Sequence, residues 1–268
     1  MLWFPGADTS TLALLQADQA VSTQGEIMNT ENQVAFVTGA NRGIGRAFVE
    51  ALLTRGARRI YATARKPELL EPVVALDRAR VIPLRLDITD SQAVQAAAEA
   101  ARDVTLLINN AGVLASGGLL SSDVGLLRQD IDTNYLGTLA VIRRFAPMIE
   151  RNGGGAIVNI LTLIALASMP GFGGYSASKA AAYSMTQAVR AELAHRGIRV
   201  HAVFPGAVDT DMIRGVDMPK TSPLEVAQTV LSAVAAGAED IFPDPMSESA
   251  YAAWLQNPKA LERQFGSM

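Results

Sequence analysis

Thr38-Gly39-Ala40-Asn41-Arg42-Gly43-Ile44-Gly45 is the stretch that decides the fold. Before it, Gln33–Thr38 is a short run rich in β-branched and aromatic residues, which reads as a buried strand. After it, Ile44, Ala47, Phe48, Ala51 and Leu52 recur at helical spacing up to Arg55, and Gly56 stops the helix. A glycine turn between a strand end and a helix start has a physical purpose. Gly39 permits the tight turn, Gly43 lets backbone approach a pyrophosphate, and Gly45 lets helix and strand pack closely. The helix start adds free N–H groups and the positive end of its dipole. Asn41, Arg42 and Ile44 fill the spaces between the glycines.

Outward from this turn, strands and helices alternate. Further strands are expected at Arg59–Thr63, Val81–Leu84, Thr105–Ile108, Ala156–Leu161, Ile198–Phe204 and Asp240–Phe242. Helices are expected from Asp90 or Ser91 to about Ala101, at 123–150, at 176–195 and at about 223–236. Such alternation implies one α/β domain: a doubly wound parallel sheet of seven strands with helices on both faces. Residues 28–268 hold no linker, repeat or low-complexity segment and read as that single domain. Residues 1–27 differ: they carry no Lys or Arg and three acids, Asp8, Asp18 and Glu26. They lack the positive start and apolar core of a secretory signal and read as a flexible extension, with a subunit-packing arm as the alternative.

Composition narrows the function classes. The 268 residues include 23 Lys and Arg against 26 Asp and Glu, with no basic cluster, so nucleic acid is not an expected partner. No run approaches the ~18 uncharged apolar residues of a membrane helix, so no membrane partner is expected. There is no cysteine and there are two histidines, which excludes disulfides, thiolate metal sites and a cysteine nucleophile. A cytoplasmic location fits these features, and no metal is expected.

The glycine spacing is G-x-x-x-G-x-G, and three further segments accompany it. Asn109-Asn110-Ala111-Gly112 follows the fourth strand, Tyr175-Ser176-Ala177-Ser178-Lys179 has the form Y-x-x-x-K, and Pro205-Gly206 follows the sixth strand, with Val208 and Thr210 beyond it. In order and spacing this set resembles the short-chain dehydrogenase/reductase family over essentially all of 28–268. The resemblance implies a Rossmann-type fold and hydride transfer to or from a nicotinamide. It implies that Asn110, Ala111, Gly112, Asp87, Ile88, Pro205, Gly206, Val208 and Thr210 contact the cofactor, together with the glycine turn. It also implies that Lys179 holds the nicotinamide ribose and that Asn134 positions the lysine through a water.

Reduction of a carbonyl needs a proton donor at the oxygen. Tyr175 and Lys179 are four apart at a helix start and share one face. A nearby cation is expected to lower the phenol's pKa from its usual value of about 10. The family usually has a serine 13 residues before the tyrosine, polarising the substrate carbonyl; here that position is Thr162. Threonine keeps the hydroxyl and adds a stiff χ1.

The second strand ends Ala62-Thr63-Ala64-Arg65-Lys66, without the acid that binds the NAD ribose. Arg65 and Arg42 suit a 2′-phosphate, so NADP(H) is the expected cofactor. Leu114, Leu163, Met169, Phe172, Met212, Ile213 and Met218 are the expected substrate wall and favour an apolar ketone, aldehyde or alcohol. The expected protein is an NADP-dependent carbonyl reductase or alcohol dehydrogenase and a homo-oligomer, dimer or tetramer. A nicotinamide-binding sensor or scaffold with little turnover is the alternative.

Overall fold

The computed structural model describes residues 32–268; the N-terminal stretch 1–27 lies outside the described residues. Strand β1 (Val34–Val37) is buried along its whole length. It is flanked by β2 (Arg59–Ala64), which pairs with β3 (Val81–Arg85), and by β4 (Leu106–Asn109). Beyond β4 lie β5 (Gly155–Ile160), β6 (Ile198–Val203) and the two-residue β7 (Asp240–Ile241). The seven strands run parallel in the order β3-β2-β1-β4-β5-β6-β7. The order reverses between β1 and β4, and ligands of such sheets bind beyond the strand ends at that point.

Residues alternate between two cores, as the two-residue period of a strand requires. Val34, Phe36, Leu107 and Ile157 face one side. There they meet Val94 of α3 (Ser91–Ala100), Phe145 of α5 (Thr138–Arg151) and Met185 of α6 (Gly173–Leu193). Ala35, Val37, Ile108 and Val158 face the other side. They meet Phe48 and Leu52 of α1 (Gly43–Thr54), Val73 of α2 (Glu71–Val74) and Val230 of α7 (Pro223–Ala235). Phe36 and Phe145 are fully buried with ring centroids 4.3 Å apart; each such side chain contributes about 2–3 kcal/mol by burial.

Three features depart from the sequence expectation, the first being the four-residue α2 between β2 and β3. The helix expected at 123–150 is divided into α4 (Val124–Ile131), a π-helical stretch Asp132–Gly137, and α5. One cause is tertiary: Asn134, inside the π stretch, is drawn to backbone 21 residues away. The chain after β7 also folds into α8 (Pro245–Gln256) and α9 (Pro258–Gly266), which periodicity alone did not reveal. Leu261 and Phe265 of α9 join the first core. A run of rings docks α8: Phe204 on Phe242 at 5.0 Å, Phe242 on Tyr251 at 3.9 Å, Tyr251 on Trp254 at 6.0 Å.

Candidate active site

The glycine turn takes the conformation its residues predict. Gly39 and Gly43 have φ of +65° and +55°, and a Cβ on Gly45 would run into the Gly39 carbonyl. Only hydrogen fits at these positions. The Asn110 amide donates to the carbonyls of Thr38 and Gly39 at 3.0 and 3.1 Å. The Thr38 hydroxyl accepts from the backbone of Asn110 and Ala111, each at 2.9 Å. The two motifs thus hold each other. Arg42 stands at the N-cap of α1 and makes no side-chain cap, so the first N–H groups of the helix face the cleft uncapped. An open helix end behind two glycines fits the phosphates of a dinucleotide.

A cleft of about 2010 Å³ opens there, over the C-terminal ends of the strands. Gly39, Asn41, Arg42, Gly43, Ile44, Arg65, Asp87, Ile88, Asn110, Ala111, Gly112, Pro205, Gly206, Val208 and Thr210 all line it. Gly45 lies just behind, at the helix–strand contact. Ala64 is buried and no acid ends β2, while Arg65 and Lys66 flank the cleft. Asp87 accepts from the Thr89 amide and hydroxyl at 3.0 and 2.7 Å. Arg42 donates to Asp211 at 3.2 Å across the cleft mouth. This exposed pair is worth under about 1 kcal/mol, so the guanidinium is readily given to another anion.

Tyr175 is the third residue of α6 and Lys179 stands one turn later; both are buried and both line the cleft. The Lys179 ammonium is 5.8 Å from the Tyr175 ring centroid and donates to the Ile160 carbonyl at 2.8 Å. Burial pulls the Lys179 pKa down from 10.5 to about 8, against the pull of Asp130. Burial, then the charge of Asp130, pushes the Tyr175 phenol well above its usual value. The Tyr175–Lys179 spacing predicts the reverse for Tyr175. Desolvation and the Asp130 charge both disfavour the phenolate here, because the phenol is shut away from water.

Asn134 lies one layer behind the cleft. Its Oδ1 accepts from Val113 N at 2.9 Å; its Nδ2 donates to Val113 O and to Ser178 Oγ, each at 2.9 Å. The Ser178 hydroxyl donates to the Tyr175 carbonyl at 2.7 Å. Asn134 therefore fixes the loop after β4 to the first turn of α6. Gly112 passes between: a Cβ there would lie 2.9 Å from Asn134 Oδ1 and 3.6 Å from Lys179 Nζ. Thr162, with extended backbone at the end of β5, lines the same cleft as Tyr175 and Lys179.

The apolar wall contains every expected residue: Leu114, Leu163, Met169, Phe172, Met212, Ile213 and Met218. To these the structure adds Met246, Ala250 and Ala253 of α8, and Leu261, Phe265 and the following Met268 from α9 and its end. Sequence signals for these helices exist: Asp244-Pro245 and Asn257-Pro258 each place a cap before a proline at the first helical position. Asp130, which is fully buried on α4, also escaped the sequence reading. Among the described residues no cluster of acids and histidines could hold a metal, and no helix is long and apolar enough to cross a membrane.

A parallel sheet with a dinucleotide turn at its switch point and a buried tyrosine–lysine pair beside it defines a nicotinamide-dependent oxidoreductase class. Residues 33–220 match the model of the short chain dehydrogenase family, and the chain belongs to that family. It is 30% identical to an uncharacterized oxidoreductase of Staphylococcus saprophyticus, over 78% of this chain and 93% of that one. A short chain dehydrogenase from Burkholderia cenocepacia, solved in complex with NADP, superposes with a TM-score of 0.83. The two are 41% identical, over 89% of this chain and 99% of that one. A short chain dehydrogenase/reductase from Burkholderia phymatum, solved with NAD, is 27% identical with a TM-score of 0.78, covering 87% and 93%.

Proposed function

We propose that this chain is an NADPH-dependent oxidoreductase interconverting an apolar ketone or aldehyde and its alcohol, with Tyr175 as general acid/base. The observation that carries the reading is one cleft that joins a glycine turn, Arg65 at a strand end that carries no acid, the Tyr175–Lys179 pair and an apolar wall. The likeness to the NADP complex supports the cofactor choice, and the basic end of β2 supports it independently.

The glycine turn and the open end of α1 would hold the pyrophosphate, Arg65 and Arg42 a 2′-phosphate, and Lys179 the nicotinamide ribose. When bound, the nicotinamide supplies or accepts the hydride. The raised phenol of Tyr175 keeps its proton at neutral pH and can donate it to a substrate oxygen during reduction. Thr162 offers a second donor to that oxygen. Lys179 is buried beside Tyr175, and its positive charge favours the phenolate left after donation. Asn134 and Ser178 hold the first turn of α6 in place. The apolar wall favours an apolar body on the substrate carbonyl.

A panel of apolar ketones and aldehydes should consume NADPH with this protein and not with Tyr175→Phe. Cofactor binding without turnover on any substrate would instead leave a nicotinamide sensor. NADPH should be preferred to NADH, and Arg65→Ala should raise the NADPH KM far more than the NADH KM. Equal efficiency with both cofactors in the unaltered protein would remove the 2′-phosphate assignment.

A further inference from the structure

Asp130 is an unexpected residue to find where it lies. It is 0% exposed, on the inner face of α4. One carboxylate oxygen accepts from the Ala115 amide at 3.1 Å. The other, Oδ2, has no hydrogen-bond partner among the described residues. An unpartnered oxygen on a buried acid is costly unless a nearby charge or dipole offsets it.

The direction in which Oδ2 points suggests what that is. A Cβ on Gly174 would sit 3.2 Å from it, so the oxygen abuts the first turn of α6 one residue before Tyr175. Only a glycine leaves that space. The start of α6 has no side-chain cap, and its positive dipole end favours an anion. From α6 come two ionisable groups, Tyr175 and Lys179. The facing loop at 113–118 carries none. Arg128 and Asp132 share the helical segment with Asp130, and Asp130 forms no ion pair among the described residues.

We propose that Asp130 is the buried counter-charge of the Tyr175–Lys179 pair, a positioning residue that helps both side chains keep their protons. This rests on the reading of that pair as the acid/base machinery. Lys179 makes a hydrogen bond to a neutral carbonyl alone, and a buried ammonium needs an anion nearby. Asp130 supplies that anion without touching the ammonium, so Lys179 stays free to turn toward a ribose. The same negative charge opposes loss of the phenol proton, which sets the pair for donation, hence for reduction. The charge interactions agree: Asp130 raises both Tyr175 and Lys179, while its own carboxyl is raised by burial against the pull of Ala115 and Lys179.

Two measurements test this on the intact protein. The chain has four lysines, so selective ¹³Cε labelling resolves them, and Lys179→Arg assigns the Lys179 signal. In Asp130→Asn, whose amide oxygen can still accept from Ala115, the Lys179 midpoint should fall by about one pH unit. Asp130→Glu should bring it back toward the unaltered value. Should Asp130→Asn not fold, Asp130→Ser removes the charge equally and is read the same way. The second measurement is the pH profile of kcat/KM for NADPH-driven reduction. Its alkaline limb should move to lower pH in Asp130→Asn by a similar amount, because both groups then lose their protons earlier. A purely structural acid would lower the rate at every pH and move neither midpoint. An unchanged Lys179 midpoint in the neutral variants overturns the proposal. If the unaltered protein reduces no carbonyl, the acid/base reading fails, and the lysine titration still decides the counter-charge.

Discussion

Thr162 is the residue at which chemistry and structure can be separated most cleanly. Thr162 lines the cleft, and the charge on a substrate oxygen grows as hydride arrives, so a fixed hydroxyl donor there would help the transition state more than the ground state. Thr162→Val keeps the shape and removes the donor. It should lower kcat by about 10²–10³ while the melting temperature holds. Thr162→Ser should retain activity, and Tyr175→Phe should be worse than either. A Thr162→Val enzyme with near-original kcat would make the hydroxyl structural. A second residue-scale effect comes from His201, buried on β6 with Nδ1 2.6 Å from the Ala238 carbonyl. Burial, aided by Arg199 and Arg190 against the Ala238 bond, pushes its pKa from 6.5 down to about 4. Below about 6.5 the unfolded chain takes up a proton that the folded chain refuses until about 4. Folding stability therefore declines as pH falls through that window, by roughly 3 kcal/mol from this one group. Denaturant titrations of His201→Gln should show a smaller loss between those pH values. Parallel losses in the two proteins would assign the acid sensitivity elsewhere.

At the scale of elements, the C-terminal pair α8–α9 closes the apolar end of the cleft, and Asp244 anchors it. Asp244 is buried; its Oδ1 caps α8 by accepting from Ser247 N at 2.9 Å, and its Oδ2 accepts from Gly206 N at 2.8 Å. One carboxylate thus ties the apolar wall of the cleft to the Pro205-Gly206 turn. Asp244→Ala should lose the cap and leave the Gly206 amide unpaired, for about 2–4 kcal/mol in all. It should raise KM for the carbonyl substrate more than for the cofactor; equal effects on both would mean α8 is no substrate wall. This anchor was within reach of the sequence, since Asp-Pro and Asn-Pro are helix starts. The apolar pattern that follows was not persuasive, because α8 spends its apolar residues on a ring stack and a cleft rather than on one continuous stripe. The sheet was legible for the opposite reason: β1, β4 and β5 are almost continuously apolar and each ends at a marked turn. The π stretch around Asn134 and the burial of Asp130 were illegible, because both are set by backbone atoms of the loop after β4. Local periodicity carries no record of such long-range partners.

At the scale of the whole molecule, apolar exposure is uneven. Leu119, Leu120, Val124, Leu126 and Leu136 are all exposed, within one stretch that runs from the loop before α4 into the π segment. Isolated exposed leucines need no explanation, but a concentration of them is a candidate contact surface for another chain. Here α4 packs along α6, and α4 also carries the buried Asp130. We expect two copies to meet across it about a two-fold axis, since an isologous contact lets one apolar patch bury its own image. Light scattering should then give a multiple of 28.3 kDa at micromolar concentration. Val124→Glu together with Leu126→Glu should shift the mass toward one chain, because a charge buried at a dimer contact without a partner costs several kcal/mol. The coupling to the site makes a further outcome specific. If the contact braces α4, the dissociated variant should lose turnover along with its mass, while binding NADPH at the distant glycine turn nearly as before. A variant that runs as a single chain with full kcat would show that α4 holds Asp130 and Asn134 in place unaided.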